Sequence, residues 1–227
     1  MEQQPCASVN GEVPIQGCPR GKGLHSMDNN NETTITNNND PCQQPFELRK
    51  LPDSLFSPSH LIDMMSECSS SLMPLPDGLH MRPLCISDFD KNFPSLLSQL
   101  TDVGEPTQQQ FEAQFRSMQS CQPALFYVTV IEDTDTNKIV AAATLVLELK
   151  FIHCMGHRGR IEDVVVDECM RGKQLGKILL ERLTMLGQRL GCYKMSLECK
   201  DHLVQFYEKF GYKVDQGNNF MVKRFVK

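Results

Sequence analysis

The chain has 227 residues, 40% of them hydrophobic, which is enough for one ordinary domain with an appended tail. Its formal net charge of -5 argues against general nucleic-acid binding, and no apolar run is long enough for a membrane-spanning helix. The opening MEQQPCASVNGEV has neither the basic flank nor the apolar stretch of a secretory signal, so a cytoplasmic protein is expected.

Cysteines stand at 6, 18, 42, 68, 85, 121, 154, 169, 192 and 199. None forms a C-x-x-C pair, and no Cys/His cluster has zinc-ligand spacing, so reduced thiols and no metal are expected.

Residues 1–76 hold NNNETTITNNND, SECSSSLMPLPDG and many prolines, with few periodic apolar positions. Such a segment buries too little surface to offset its ordering entropy, so a mostly disordered tail is expected there. Within it, Leu55 to Ile62 is either a short helix docked on the domain or a sticky spot in a loose tail.

From 77 to 227 the texture is globular. LHMRPL predicts a first strand, and Ser87 is placed to cap a helix beginning SDFDKNF, with Pro94 in its early turns. TQQQFEAQFRSM sets Phe111, Phe115 and Met118 on one helical face. LFYVTVIED and KIVAAATLVLELKFI predict a hairpin around DTDTN, and IEDVVV a short strand buried on both faces.

LGKILLERLTMLGQRLG follows as a helix whose Leu175, Leu179, Leu183, Leu186 and Leu190 form a core-facing stripe, ended at Gly191. CYKMSLEC predicts a strand, DHLVQFYEKF a helix capped by Asp201, and YKVD with FMVKRFV a closing strand pair. The order β-α-α-β-β-β-α-β-α-β-β predicts a single α+β (α/β) domain.

In VVVDECMRGKQLGK a strand leads through a polar turn into a helix. Free N–H groups and the positive dipole end at a helix start attract anions. Gly172 and Gly176 allow close backbone approach, while Arg171, Lys173 and Lys177 add positive charge. A Walker loop is excluded because Ile178 follows Gly176-Lys177, and G-x-G-x-x-G is absent. On these residues alone, an ordinary helix start with solvated cations competes with an anion site.

The turn resembles the coenzyme A motif Q/R-x-x-G-x-G/A of the GCN5-related N-acetyltransferase superfamily, here Arg171-Gly172-Lys173-Gln174-Leu175-Gly176 with Gln174 replacing the first glycine. The element order fits that superfamily from residue 79 onward. KFIH, RGRIEDVVV, RGKQLGK, CYKMSLEC and FYEKFGY are similar, in order and spacing, to a branch that acetylates an amino-sugar phosphate; RPLCISD and LTDVG agree as well.

The resemblance implies a central mixed, mostly antiparallel sheet flanked by helices. It also implies acetyl transfer from acetyl-CoA to the 2-amino group of glucosamine 6-phosphate, a step toward UDP-N-acetylglucosamine, without a metal. Coenzyme contacts implied are Val164, Val165 and Val166 through their backbone, Arg171, Gly172, Lys173, Gln174, Leu175, Gly176 and Lys177, and Tyr207, Glu208 and Lys209. Glu198 is implied to hold or deprotonate the amine, and Tyr207 to supply a proton to the leaving thiolate, whose thiol has a pKa of about 8.5.

Implied sugar-phosphate contacts are Thr101, Lys150, Phe151, Ile152, His153, Glu162, Asp163, Val164, Tyr193, Lys194 and Arg224, completed across a homodimer. Strand alternation sends the adjacent Glu162 and Asp163 to opposite faces, so at most one aims into a given pocket. Arg158 and Arg160 read as solvated loop residues, and Leu203 stands where relatives have asparagine. Two other readings remain: the same fold with another amine acceptor, and a non-catalytic acyl-CoA-binding dimer module.

Overall fold

The computed structural model describes residues 53–62 and 72–225; the expectation of a disordered tail falls mostly outside these residues. Five strands form one sheet in sequence order: β1 (Leu79–Pro83), β2 (Phe126–Asp133), β3 (Lys138–Leu149), β4 (His157–Val166) and β5 (Cys192–Leu197). The first three pairings are antiparallel and β4–β5 is parallel, as a strand–helix–strand crossover requires. The helices are α1 (Phe93–Ser98), α2 (Gln108–Gln119), α3 (Leu175–Arg189) and the short α4 (Val204–Glu208).

The central strand is β3, buried without interruption from Ile139 to Leu145, so its KIVAAATLVL run has no polar alternation. The apolar stripe of α3 closes over the sheet: Leu175, Leu179, Leu183 and Leu186 are buried, while Leu190 is half-buried at the end. Thr107 caps α2, its hydroxyl accepting from the Gln110 amide at 3.2 Å, and Phe115 packs into the core.

Where strand, helix and connection lie differs from the sequence reading at several points. β4 begins at His157, because Arg158 and Arg160 pair with Glu148 and Val146 of β3; they are strand residues, not loop. Cys85, not Ser87, caps the first helical segment, a 3-10 turn at Ile86–Lys91, and the Asp88 carboxylate accepts from the Cys85 amide at 2.7 Å. Another 3-10 turn, Asp201–Leu203, intervenes before α4, so Leu203 and not Asp201 precedes that helix. Residues 212–225 form no strand in the single chain: without a ladder partner their backbone stays open, and Val214, Phe220, Met221 and Phe225 remain exposed.

Of the two readings of Leu55 to Ile62, the structure has the docked one. Leu55, Phe56 and Leu61 are buried. The Leu55 amide donates to Leu84 O at 2.8 Å, and the Ile86 amide to Asp53 O at 3.1 Å. Gln119 Nε2 donates to Ser54 O at 2.8 Å, and the Phe56 ring lies 4.9 Å from that of Tyr127. This strap therefore ties the first strand's exit to β2 and α2.

A buried ionic knot fixes the same corner. Arg82 donates to both oxygens of the fully buried Asp88 at 2.7 Å and, through Nε, to Glu132 at 2.7 Å; Lys91 meets Glu132 at 2.5 Å. Burial alone would raise the Glu132 carboxyl, but hydrogen bonds from Arg82 and Lys91 outweigh it and hold it below the usual carboxylate range. A second close fit lies under β5. A methyl group added at Gly159 or at Gly187 would overlap the Met195 sulfur, so these glycines keep β4 and α3 tight against β5 by their size.

Two measurements check this packing. Phe56→Ala should lower unfolding free energy by about 3–5 kcal/mol in urea titrations, the cost of deleting a buried aromatic ring. Because Glu132 is depressed in the folded state, its contribution is present above the unfolded value of about 4.3 and is lost as pH falls through the folded one. The urea midpoint should therefore drop on acidification below about pH 4.3, and less so in Glu132→Gln.

Candidate active site

The site begins where two parallel strands part. Pairing of β4 with β5 ends at Ile161–Leu197, and β4 runs on to Val166 without it. Just past that point β4 carries a bulge. Ala142 pairs with Val165 but Thr144 with Glu162, so β4 holds one extra residue, and Asp163 takes up a left-handed φ of 53°. The bulge breaks strict alternation: Glu162 is half-buried, and Asp163 is exposed although Ile161 and Val165 beside it are buried. Val164 and Val166 are half-buried rather than enclosed, because the parting of the strands opens one side of β4.

At the end of β4 lies a cavity of about 380 Å³, walled by Val166, Met170 and the turn into α3, including Arg171, Gly172, Gln174, Gly176 and Lys177. Phe206, Lys209 and Phe210 form the opposite wall. Gly172 has φ 86°, and an added methyl there meets open space. Gln174, directly before α3, has φ 61°, which costs a non-glycine residue about 1–2 kcal/mol. The conformation at 174 is one that glycine adopts freely, which accounts for the motif preferring glycine there. First-turn amides of α3 have no partner within the helix, and such a helix start attracts an anion. Gln99 braces the turn, donating to Asp167 at 3.1 Å and accepting from the Glu168 amide at 3.0 Å. Lys173 is not in the wall; its Nζ lies 3.5 Å from Met170 Sδ.

A larger cavity of about 960 Å³ lies along β5, between Arg158 and Arg160 of β4 and residues 213–220. It brings together Lys194, Glu198, Tyr207 and Glu208. The Glu198 carboxylate is held by the Arg160 guanidinium, which also meets Glu162 at 2.6 Å. Lys194 lies 3.8 Å from Asp215. Burial pushes the Tyr207 hydroxyl above the ordinary phenol range, with the neighbouring Cys199 and Tyr212 adding to it, so it stays protonated and able to donate near neutral pH. Arg158 and Arg160, which read in sequence as solvated loop residues, line this cavity; the alternating charges of R-G-R-I-E were the available signal for one solvent-facing side of a strand.

The connection from β3 to β4 carries the KFIH block. Lys150 meets Glu148 at 2.5 Å, and the His153 ring lies 4.1 Å from that of Tyr193. His153, Cys154 and Met155 are all left-handed, with φ of 52°, 55° and 60°, a concentration of backbone strain in one turn. Phe151 is 91% exposed, and Ile152 is exposed as well. Thr101, the KFIH residues, Tyr193 and Arg224 line neither cavity within the single chain, and Thr101 and Arg224 are exposed. Leu203 is an exposed apolar residue at the start of α4. Among the described residues no group of His, Cys, Asp and Glu has the arrangement of a metal site, and no helix is long and apolar enough to cross a membrane.

A sheet whose parallel pair splays beside a bulge, with a cationic turn at the next helix, gives a cavity that ends on an anion-attracting helix start. The family model described as "Acetyltransferase (GNAT) family" matches residues 92–212, and the chain belongs to that family. Within it the chain is 49% identical over 150 residues to the Drosophila melanogaster protein named "Probable glucosamine 6-phosphate N-acetyltransferase", covering 66% of this chain and 68% of the relative. It is 42% identical over 137 residues to the Arabidopsis thaliana glucosamine 6-phosphate N-acetyltransferase, covering 60% and 91%. The crystal structure of an Arabidopsis thaliana glucosamine-6-phosphate N-acetyltransferase superposes with a TM-score of 0.60 at 37% identity, over 66% of this chain and 99% of that one.

Gly172→Ala should weaken coenzyme A binding about tenfold, since a left-handed φ costs an L-residue about 1–2 kcal/mol. Calorimetric titration with coenzyme A measures it; unchanged affinity would mean the turn does not contact the ligand.

Proposed function

We propose that the chain transfers the acetyl group of acetyl-CoA to the 2-amino group of D-glucosamine 6-phosphate, giving N-acetylglucosamine 6-phosphate for UDP-N-acetylglucosamine synthesis. The observation that carries this reading is a wall residue common to the two cavities. Phe210 lines both, one under the anion-attracting turn and the other beside Glu198 and Tyr207, so a coenzyme in one and an acceptor in the other can meet beside that ring. Such a meeting favours direct attack in a ternary complex. Relatives named for this reaction support the choice of acceptor.

Acetyl-CoA brings the acetyl group as a thioester; the remaining work falls to the chain. The turn from Arg171 to Lys177 and the first amides of α3 hold the pyrophosphate. Backbone N–H groups of Val164 to Val166, freed by the parting of β4 from β5, hold the pantetheine arm and the carbonyl oxygen. Glu198, directly or through water, takes a proton from the acceptor amine. Tyr207, protonated at neutral pH, donates to the departing sulfur.

Lys194 attracts the sugar phosphate. The exposed KFIH turn, Tyr193, Thr101 and Arg224 complete that site across a homodimer, which accounts for apolar residues standing free at 151, 152, 220 and 225. The described cysteines are free thiols, in keeping with a cytoplasmic setting.

Purified full-length protein with acetyl-CoA and a panel of amines, followed by free-thiol release, tests the reading. Release should be rapid with glucosamine 6-phosphate and slow with glucosamine or a polyamine; no release from folded protein would overturn it. Tyr207→Phe should lower kcat about a hundredfold and leave coenzyme affinity unchanged, as loss of a general acid requires. An equal loss in both would show that the ring only packs the site.

A further inference from the structure

Glu198 lies one residue beyond the last β4–β5 pair, where no ladder bond fixes the chain, and its carboxylate is exposed. A carboxylate in such a place is free to swing into solvent. What holds it is a side chain from the neighbouring strand. Arg160 pairs in register with Ser196, two residues before Glu198, and its guanidinium reaches across the opening gap to that carboxylate. Through Nε the same guanidinium meets Glu162, two residues further along its own strand and on its own face, at 2.6 Å. One planar fork thus joins two carboxylates from two strands at the point where the strands separate.

We propose that Arg160 is the positioning residue of the acetyl transfer: it aims the Glu198 carboxylate and sets the charge that Glu198 and Glu162 present to the incoming amine. The inference rests on the reading of Glu198 as the group that receives the amine's proton. Two carboxylates and one guanidinium leave a single negative charge in this cluster, of which Arg160 and Glu198 line the cavity. Without the guanidinium, two like charges share the gap and repel, and the Glu198 carboxylate is no longer aimed at the amine.

The neighbouring cations do not replace it. Arg158 donates to Ser196 Oγ at 2.9 and 3.2 Å and lies 3.9 Å from Glu148, while Lys194 lies beside Asp215. The pairs of Arg160 are partly solvent-exposed, so they add little to global stability and the variant should fold.

The test uses full-length protein, acetyl-CoA and glucosamine 6-phosphate. Arg160→Gln should lower kcat at least about tenfold, with acetyl-CoA affinity and melting temperature unchanged, and Arg160→Lys should recover part of the loss. Wild-type kcat in Arg160→Gln would overturn the proposal, as would failure of lysine to recover any activity. A loss of kcat that tracks weaker acetyl-CoA binding or a lower melting temperature would also overturn it, since that is the signature of a merely structural residue. Absence of turnover in the wild-type protein is a separate result: it removes the reading of the acceptor, and this inference with it.

Discussion

The separation of β4 from β5 beyond Ile161–Leu197 is the constraint on which the rest of the site depends. Two parallel strands that stay paired satisfy one another's backbone groups and leave no room for a ligand. Once they diverge, the amides of β4 have no neighbour on that side, and the space between the strands admits an extended molecule with acceptors of its own. The bulge at Asp163 sits on the same stretch and adds local twist, which helps carry β4 away from its partner. Turn, helix start and α4 are then arranged around the mouth of that gap.

A gap in a sheet is stable only if the material on either side is stiff. On one side, the knot of Arg82, Asp88, Glu132 and Lys91 and the strap from Leu55 to Leu61 lock β1 and β2 to the first helical segments. On the other, Met195 is seated between Gly159 and Gly187, so β5 is pinned to β4 and α3 up to the point of parting. Buried ion pairs contribute less to net stability than their geometry suggests, because desolvation offsets the attraction. Their value here is specificity: Arg82 grips both oxygens of the fully buried Asp88, and the corner is therefore defined by that pair.

Much of this was legible in the residues themselves. Helical spacing of leucines placed α3, and the long apolar run of β3 marked the second strand of a hairpin with β2. The turn from Arg171 to Gly176 allowed either an anion site or an ordinary helix start with solvated cations. Other features depend on contacts between distant segments, which local patterns do not record. Whether Arg158 and Arg160 lie in a loop or a strand is decided by pairing with β3. The left-handed Asp163 has no glycine to announce it, and adjacent carboxylates were assigned to opposite faces on a regularity that the bulge interrupts. The final residues carry an alternating pattern without a partner in the same chain. The candidate site was therefore readable as a set of residue types, and its geometry as a consequence of register.

The strap has a temporal consequence. Leu55, Phe56 and Leu61 leave the ribosome well before Tyr127, against which Phe56 stacks, has been made. At about 5–20 residues per second, roughly seventy further residues take several seconds, and for that interval three large apolar side chains have nothing of their own to cover them. A nascent chain of this kind offers chaperones an early handle. The same residues that later close one corner of the domain are, during synthesis, the part most exposed to capture by something else.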